Sequence, residues 1–485
     1  MNILISIQAF DELPYVDHIK ILSKDNNISN IYIVSSAMHE LEKDIKIKYE
    51  SIDKVIMVYL NNIMFNKLSG VKFVLPSEFI EKQEYMFSDV WSSYRWLPIS
   101  LRYDNDTITF STKFYYDIYN FFEIFFSSNH ISSVILLNEE HSSLDSIMIR
   151  TAKKYNVKNI LVSKIVGSSA EIGNFYAIYN SITEEYILLN SYLKKSSKEN
   201  LSLEHDFSAH SEEYKMTFSK KIRFLFSRVK LELNKEKKKS AILLSIFLKT
   251  YNLVKTSFML KRNYRYIKML RKFYSKISVS NINIEKPYIY YCLHFDPEAA
   301  TLPVDNSYFN QLLNIRIILS ALPDGWSLYI KEHPDQLNEK KHRNILINQL
   351  HSIDNFRSKN FYKYIAGLKD TFLVGMENDH KKLIKNAKFV VSNTGTVFRE
   401  SNYMKKQCMT FSKHTFYKNL EHVNYINDVE SCKKIIETKQ DCTIIRPDVN
   451  DLYKNYTYTV KAKDNMSSKL LKLIVDNKLY LDLVQ

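Results

Sequence analysis

Short apolar runs alternate with amphipathic stretches along the first 190 residues. Five of the runs have the length and continuous apolar character of strands buried on both faces: Ile3–Ile7, Ile31–Val34, Val55–Tyr59, Val134–Leu137 and Ile160–Val162. Between the last two, Leu144–Tyr155 has the spacing of an amphipathic helix, which completes a βαβ unit. Residues 1–190 are therefore predicted to form an N-terminal α/β domain.

The same alternation begins again near Lys286. The predicted strands there are Tyr288–Leu293, Leu328–Ile330, Lys388–Val391 and Gln407–Phe411, and the predicted helices are Asn310–Ser320, Asp379–Asn386 and Val397–Lys405. A chain of 485 residues is too long for one ordinary hydrophobic core, so a second domain is expected. We predict that this C-terminal α/β domain spans 286–485.

The segment between the domains, 191–285, has a different composition. It begins with a polar, Ser-, Glu- and Lys-rich stretch that is typical of a linker. Ser219–Lys276 then has apolar residues at three- and four-residue steps, which predicts helix. This basic segment holds 18 Lys or Arg and 2 Glu, a local charge of +16 in a chain of net charge +15. It is either a solvated helical connector or a surface that faces an anionic membrane.

Several common kinds of site are not encoded. The sequence contains neither G-x-x-x-x-G-K-[ST] nor G-x-G-x-x-G, and its four cysteines form no C-x-x-C pair. Asp104–Asp106 spells a D-x-D, but the alternating residues of Ile99–Tyr103 and Thr107–Phe110 favour a hairpin turn over a metal site. We therefore expect no metal and no cofactor. Because no nucleic-acid-binding motif accompanies the basic segment, nucleic acid is not an expected partner.

The protein is expected to stay in the cytoplasm. Its N-terminus lacks the basic region and the cleavage site of a signal peptide. The longest uncharged apolar run, Ala241–Leu248, is far too short to span a membrane.

Polar residues follow three predicted strands of the C-terminal domain, at the edge where open parallel sheets bind ligands. Ser392–Thr396 leads from a strand into a helix, and its hydroxyl and backbone N–H groups suit an anion. Within it, Gly395 allows a positive φ or a close approach of the backbone. Lys331 and His333 are two donors suited to a phosphate, and Pro334 ends their strand.

A third polar group lies between His294 and Thr301. Glu298 in this group is a carboxylate that can act as acid, base, nucleophile or orienting group. Each of the three groups also has a structural interpretation: Thr394 and Thr396 can cap a helix, a single His can end a strand, and an Asp-Pro turn can leave Glu298 solvated.

Together these pieces resemble the capsule and surface-polysaccharide biosynthesis proteins, GT-B glycosyltransferases related to the bacterial Kdo transferases. That family carries L-H-x-x-P-E-A-[ST]-[ST] after one strand, K-x-H-P after the next, and S-x-T-G-T followed four residues later by Glu. The corresponding residues here are Leu293–Thr301, Lys331–Pro334, and Ser392–Thr396 with Glu400. The resemblance covers 286–422 clearly and 130–165 moderately. Asp296 departs from it, standing where Gln is common.

The resemblance implies an α/β, GT-B-like fold in which two Rossmann-like domains face each other across a cleft. The C-terminal domain would hold a nucleotide-sugar donor and the N-terminal domain a glycan or lipid-linked glycan acceptor. The implied donor is a CMP-activated ulosonic acid such as Kdo or a sialic-acid relative. The implied donor-binding residues are His294, Thr301, Lys331, His333, Pro334, Ser392, Thr394, Gly395, Thr396 and Glu400, the last on the ribose.

Glu298 would be the catalytic carboxylate of this enzyme, and Glu139, Glu140 or His141 the base across the cleft. The expected reaction is metal-independent and extends a lipopolysaccharide, a capsule or a related glycan, with the protein peripheral at the inner face of the plasma membrane. Two alternatives stay open, because a fold does not fix a function. One is a nucleotide-sugar epimerase or hydrolase, and the other is a non-catalytic binding component of polysaccharide assembly.

Overall fold

The computed structural model contains two β-sheets, and helices connect the strands of each. It describes residues 1–7, 16–35, 49–59, 90, 107–137, 143–169, 173–189, 264–296, 301, 304–338, 357–440, 442, 448–460 and 466–481. The polar stretch after residue 190 and most of the basic segment lie outside these residues.

The first sheet is built mainly from the N-terminal part of the chain. Its strands and helices are β1 (Asn2–Ile7), α1 (Val16–Ser23), β2 (Asn30–Ser35), β3 (Val55–Tyr59), α2 (Thr107–Asn129), β4 (Ile131–Leu136), α3 (Ser143–Lys154), β5 (Asn159–Ser169), β6 (Gly173–Asn180) and β7 (Glu185–Tyr186). Strands β3-β2-β1-β4-β5 are parallel in that order, and β6 adds antiparallel to β5. This is the strand order of a Rossmann-like domain.

Helices cover both faces of this sheet, which explains why its strands are continuously apolar. Along β1, Ile3 and Ile5 pack in one core with Ile19 of α1. Leu4, which points to the opposite face, packs with Phe122 of α2. Each of these five side chains is fully buried.

The second sheet comes from the C-terminal part of the chain. Its elements are the helix α4 (264–277), then β8 (Tyr288–Cys292), α5 (Gln311–Ala321), β9 (Ser327–Lys331), α6 (Lys359–Ala366), β10 (Thr371–Val374), α7 (His380–Asn386), β11 (Phe389–Ser392), α8 (Val397–Tyr403), β12 (Gln407–Thr410), β13 (Val423–Tyr425) and α9 (Val429–Lys439). All six strands are parallel, in the order β10-β9-β8-β11-β12-β13. The order reverses between β8 and β11, which is the switch point where doubly wound sheets bind ligands.

The two sheets confirm the predicted fold class, an α/β protein with the two Rossmann-like domains of the GT-B type. They are joined by a shared apolar core that includes Phe175 and Tyr179 from the first sheet and Tyr417 from the second domain. The hydroxyl of Tyr417 also donates a hydrogen bond of 3.1 Å to the backbone carbonyl of Val166. The two domains are therefore in direct contact.

The end of the chain returns to the first sheet, whereas the sequence places all of 286–485 in the second domain. After α10 (Val449–Tyr456), strand β14 (Thr457–Val460) pairs antiparallel with β6, and α11 (Met466–Asp476) packs near α1. Strand β6 already pairs with β5 and, at Tyr179 and Asn180, with the short strand β7, and β14 adds a third partner along Asn174–Ala177. The return thus covers a part of the β6 edge that would otherwise be bare, which is a liability in a sheet. Tyr458 stacks on Tyr176 across this pairing, with ring centroids 5.7 Å apart.

The hairpin predicted around Asp104–Asp106 is wrong in its second arm. Thr107–Phe110, predicted as a strand because its residues alternate, forms the first turn of the long helix α2. Four residues are too few to separate the two periodicities, and the aromatic residues that follow repeat at helical spacing. Residues 104–106 themselves lie outside the described part of the chain.

Candidate functional site

His294, just beyond β8, lies at the switch point of the second sheet. Its ring atom Nε2 accepts hydrogen bonds from the backbone N–H groups of Asn393 at 2.7 Å and Thr394 at 3.2 Å, and it lies 3.1 Å from the Ser392 hydroxyl. Burial, reinforced by the charges of His333 and Arg357, lowers the pKa of His294 to about 3. The ring is therefore neutral at physiological pH, and it accepts hydrogen bonds from the loop after β11.

This arrangement gives two of the predicted donor-binding residues a structural role. His294 is buried beneath the loop, where its ring accepts hydrogen bonds from the loop backbone. The N–H groups of Asn393 and Thr394, which were expected to bind an anion, instead point at the His294 ring. Ser392 is also buried, and its hydroxyl reaches the carbonyl of Cys292 at 3.3 Å.

The outer part of the same loop is exposed. Gly395 has φ of 109°, and a Cβ there would meet no atom within 4 Å, so the position favours glycine for its backbone conformation and not for lack of space. Thr396 is the N-cap residue of α8, but its side chain makes no capping hydrogen bond. The capping interpretation of Thr396 is therefore wrong. Thr394 is partly exposed, and Thr396 is exposed beside it.

A buried amide holds the loop from beneath. The Nδ2 atom of Asn393 donates to Asp305 Oδ2 at 2.9 Å, and its Oδ1 accepts from Asn314 Nδ2 at 3.0 Å. The hydroxyl of Thr410 donates to the Asn393 carbonyl at 2.7 Å. Burial raises the pKa of Asp305 to about 6, against the opposing hydrogen bond from Asn393. Side chains from three parts of the domain thus fix the loop in one conformation.

Lys331 and His333 lie at the end of β9 and have different surroundings. The Lys331 ammonium group donates to the Asn378 carbonyl at 2.5 Å, and burial lowers its pKa. His333 is partly exposed, and its Nδ1 accepts the backbone N–H of Asp335 at 3.2 Å. In a neutral ring this leaves the proton on Nε2, so His333 presents a donor at the carboxyl edge of the sheet. Pro334 is exposed beyond it.

The most heavily bonded side chain near these residues is Arg357, which no sequence pattern singled out. Its guanidinium group donates to Asp296 and to Glu332, each at 2.7 Å, and to the His294 carbonyl at 2.9 Å. Tyr362 donates a further 2.7 Å hydrogen bond to Glu332. Burial opposes the positive charge of Arg357, but the two carboxylates outweigh it and raise its pKa.

This Arg357 clamp ties the end of β8 to the end of β9. Glu332 precedes His333 and also accepts the His333 backbone N–H at 2.7 Å, so the clamp sets where both histidines lie. The sequence does place two acidic residues, Asp296 and Glu332, next to predicted buried strands, and buried carboxylates need a cation as partner. It does not indicate that this cation is Arg357, which lies much further along the chain.

The remaining predicted donor-binding residues are Thr301 and Glu400. Thr301 is buried, and its contact with a donor stays a prediction. Glu400, partly exposed, lies 3.3 Å from His380 Nε2. The other ring nitrogen of His380 is 2.9 Å from the Tyr290 hydroxyl. The catalytic candidates Glu298, Glu139, Glu140 and His141 all lie outside the described residues.

The N-terminal domain contributes a lysine near this edge that the sequence did not indicate. Lys164 of β5 is buried, and its Nζ lies 4.7 Å from the centre of the Tyr179 ring. The Tyr179 hydroxyl is 2.9 Å from Nδ1 of His414, which follows β12. Burial, followed by the charge of Lys164, holds the pKa of His414 well below its usual range. Lys164 is also close enough to Asp305 to act on its charge.

Neither a metal cluster nor a membrane span occurs in the described part of the chain. No three His, Cys, Asp or Glu side chains within it are grouped so that they could hold a metal ion. None of the described helices combines the length and the apolar character needed to cross a membrane.

Comparison with known proteins gives no family assignment. No family model matches the chain, and no curated protein matches it. Among solved structures, a UDP-GlcNAc 2-epimerase from Methanocaldococcus jannaschii in complex with UDP-GlcNAc and UDP is 12% identical, with a TM-score of 0.24 over 98% of this chain and 100% of that one. KpsC from Thermosulfurimonas dismutans, a beta Kdo 2,4 transferase, is 10% identical, with a TM-score of 0.30 over 71% of this chain and 88% of that one.

A UDP-GlcNAc 2-epimerase from Neisseria meningitidis bound to UDP-GlcNAc is 11% identical, with a TM-score of 0.22 over 99% of this chain and 100% of that one. These structures belong to two kinds of enzyme, and at such TM-scores they do not choose between them. The assignment of the fold rests on the strand orders of the two sheets.

Proposed function

We propose that this protein is a metal-independent glycosyltransferase that uses a nucleotide-sugar donor. The observation that carries the proposal is the meeting of three strand ends at the switch point of a Rossmann-like sheet. There the hydroxyl-bearing residues Thr394 and Thr396 and the partly exposed ring of His333 share one edge, supported from below by His294 and Arg357. Such an edge is where nucleotides bind in this class of sheet.

The outward donors of this edge suit the phosphate of the nucleotide sugar. His333 Nε2 and the hydroxyls of Thr394 and Thr396 would donate hydrogen bonds to it and stabilise the negative charge that develops as the leaving group departs. The buried groups act differently, because His294 and Asn393 hold the loop and Lys331 holds the backbone before α7. They are positioning residues, so the donor-binding set is smaller than the sequence implied.

The other half of the site is assigned from the sequence. Glu400 would accept hydrogen bonds from ribose hydroxyls, with His380 holding its carboxylate at 3.3 Å. Glu298 would be the catalytic carboxylate, and Glu139, Glu140 or His141 would be the base from the N-terminal domain, where the acceptor glycan would bind. The sugar donor best suited to the resemblance is a CMP-activated ulosonic acid such as Kdo or a sialic-acid relative. If the acceptor glycan is lipid-linked, the enzyme would work at the inner face of the plasma membrane.

A thermal-shift comparison of CMP, UDP and GDP tests the donor class. We expect CMP at about 100 times its Kd to stabilise the protein by about 2.7 kcal/mol. His333→Ala should lose most of this stabilisation, whereas His380→Ala, which removes a His from the Glu400 side of the site, should lose less. Equal stabilisation by UDP would reject the CMP assignment and leave the nucleotide site standing. Turnover of the donor with no glycan acceptor would favour the epimerase or hydrolase, and binding without turnover would favour a non-catalytic component.

A further inference from the structure

Helix α4 is the described end of the basic segment, and it has two chemically different sides. Its apolar side packs into the core of the C-terminal domain through the buried residues Leu270 and Tyr274. The helix has no acidic residue, and its opposite side is basic, with the exposed residues Arg265, Lys268, Arg271, Lys272 and Lys276. The two interpretations of the basic segment are therefore not exclusive here, because the helix is packed on the domain and still presents five positive charges.

Two neighbouring helices extend this positive surface. Helix α6 lies beside α4, with the ring centroids of Tyr362 and Tyr274 5.0 Å apart, and it exposes Lys359 and Lys363. The ammonium group of Lys359 lies 5.8 Å from the centre of the Phe273 ring of α4.

Helix α5 also contacts α6. The exposed Arg316 of α5 donates a 3.1 Å hydrogen bond to the hydroxyl of Tyr364 in α6. Neither α5 nor α6 contains an acidic residue. We call the exposed sides of α4, α5 and α6 the cationic face.

The cationic face also carries apolar groups. Tyr364 is 43% exposed and Leu313 is 39% exposed, large values for such side chains on two packed helices. Basic side chains around an exposed aromatic residue are typical of protein surfaces that bind anionic bilayers. The basic groups interact with the anionic headgroups, and the aromatic ring inserts into the membrane interface. This combination favours a lipid surface over a nucleic acid, whose binding proteins carry recognised motifs that are not encoded here.

The face is linked to the proposed donor site. The Tyr274 hydroxyl of α4 donates to the Val374 carbonyl at the end of β10 at 2.7 Å, and it accepts the Glu332 backbone N–H at 3.2 Å. Glu332 is held by the Arg357 clamp and precedes His333. One end of the cationic face is thus anchored to the same sheet edge as the site.

We infer that the cationic face, made by α4, α5 and α6, docks the protein on an anionic phospholipid surface. Docking in this way would hold the carboxyl edge of the second sheet close to the bilayer. The inference is independent of the proposed activity, because docking is measured without a donor or an acceptor.

Co-sedimentation of the full chain with phosphatidylcholine vesicles, with and without phosphatidylglycerol, tests the inference. The face variant replaces Arg265, Lys268, Arg271 and Lys272 by Gln, and a second variant replaces Lys359 and Lys363. The control removes the same charge as the face variant from exposed positions on the N-terminal domain, with Lys20, Lys24, Lys158 and Lys472 replaced by Gln. Each basic residue near an anionic surface contributes roughly fivefold, so the face variant should lose at least about 100-fold in partitioning and the second variant about tenfold or more. The control should stay within a few-fold of the unmodified protein.

Binding should require phosphatidylglycerol and fall as added salt screens the charges. Thermal denaturation followed by circular dichroism checks that each variant is folded. If the face variant does not fold, the Lys359 and Lys363 variant tests the inference in its place. Equal losses in the face and control variants would overturn the inference, since net charge alone would then explain binding. So would equal binding to vesicles without phosphatidylglycerol, or retention of single-stranded DNA by a protein that does not sediment with vesicles.

Discussion

Removal of Arg357 is expected to destabilise the C-terminal domain strongly. Arg357→Ala leaves Asp296 and Glu332 buried without the cation that both contact at 2.7 Å. Breaking a buried ion pair by removing one partner costs about 3–5 kcal/mol, because the remaining charge is uncompensated. The variant also loses the packing of the guanidinium group over Phe361, 4.5 Å from its ring centre. We therefore expect a loss of about 4 kcal/mol, a large part of the roughly 5–15 kcal/mol that stabilises an ordinary domain.

Urea denaturation followed by circular dichroism measures this loss. Arg316→Ala is the matched control, because Arg316 is an exposed arginine of the same domain with a hydrogen bond to Tyr364, and surface changes of this kind stay near about 0.5 kcal/mol. Arg357→Lys should fall between the two, since lysine keeps the charge but not the forked geometry that reaches both carboxylates and the His294 carbonyl.

The pH dependence of the Arg357→Ala deficit gives a sharper signature. Burial raises the pKa of Asp296, and the charge of Arg357 is the main influence that opposes this rise. Without the guanidinium, the folded-state pKa of Asp296 therefore rises further above its unfolded value, so the folded state binds more protons. Stability that comes from a raised folded-state pKa is retained at low pH and lost as pH rises.

The deficit relative to the unmodified protein should therefore grow from about pH 4 to about pH 8. A deficit below about 1 kcal/mol, or one that does not vary with pH, would refute the role assigned to the clamp.

Two further predictions concern the site. Because burial lowers the pKa of His294 to about 3, the unfolded chain takes up a proton at this position before the folded one does. His294 should therefore contribute a loss of stability of roughly 1.4 kcal/mol per unit as pH drops below about 6.5. In denaturation measured against pH, His294→Gln, which keeps an acceptor for the loop, should show a slope that is shallower by this amount, and the slope that remains comes from other buried histidines such as His414, whose pKa burial also lowers. Glu298→Gln should abolish transfer while leaving CMP affinity within a few-fold, and EDTA should leave transfer by the unmodified protein unchanged. Near-normal transfer by Glu298→Gln, measured as turnover of the donor in the presence of the glycan acceptor, would make Glu298 a turn residue.

Many strands of both sheets could be predicted from the sequence to within a few residues. Tyr288–Leu293 is observed as Tyr288–Cys292, and Val55–Tyr59 is observed with the same bounds. The reason is that a parallel strand covered on both faces must be apolar without interruption, which leaves a strong local signal.

Contacts that join distant parts of the chain could not be predicted. The return of β14 to β6 depends on the short strand Thr457–Val460, whose partner lies far earlier in the chain, as in the pairing of Tyr458 with Tyr176. Arg357 likewise meets Asp296 across 61 residues. The local pattern of apolar and polar residues indicates neither the β14–β6 pairing nor the Arg357–Asp296 ion pair. The polar residue types at the strand ends were found, but their division into inward and outward groups required the fold.

The buried, inward groups of the candidate site orient the outward hydrogen-bond donors. Hydrogen-bond donors stabilise developing charge best when they are already oriented, so that no reorganisation is needed during the reaction. Here the inward groups do the orienting: Arg357 fixes the His294 carbonyl, the His294 ring fixes the Asn393 and Thr394 N–H groups, and the Asn393 side chain is fixed in turn by Asp305. The outward groups Thr394, Thr396 and His333 therefore lie on backbone segments whose conformation these hydrogen bonds restrict. A change among the inward groups should therefore weaken nucleotide binding without removing any ligand contact, which distinguishes positioning residues from contact residues in the same motifs.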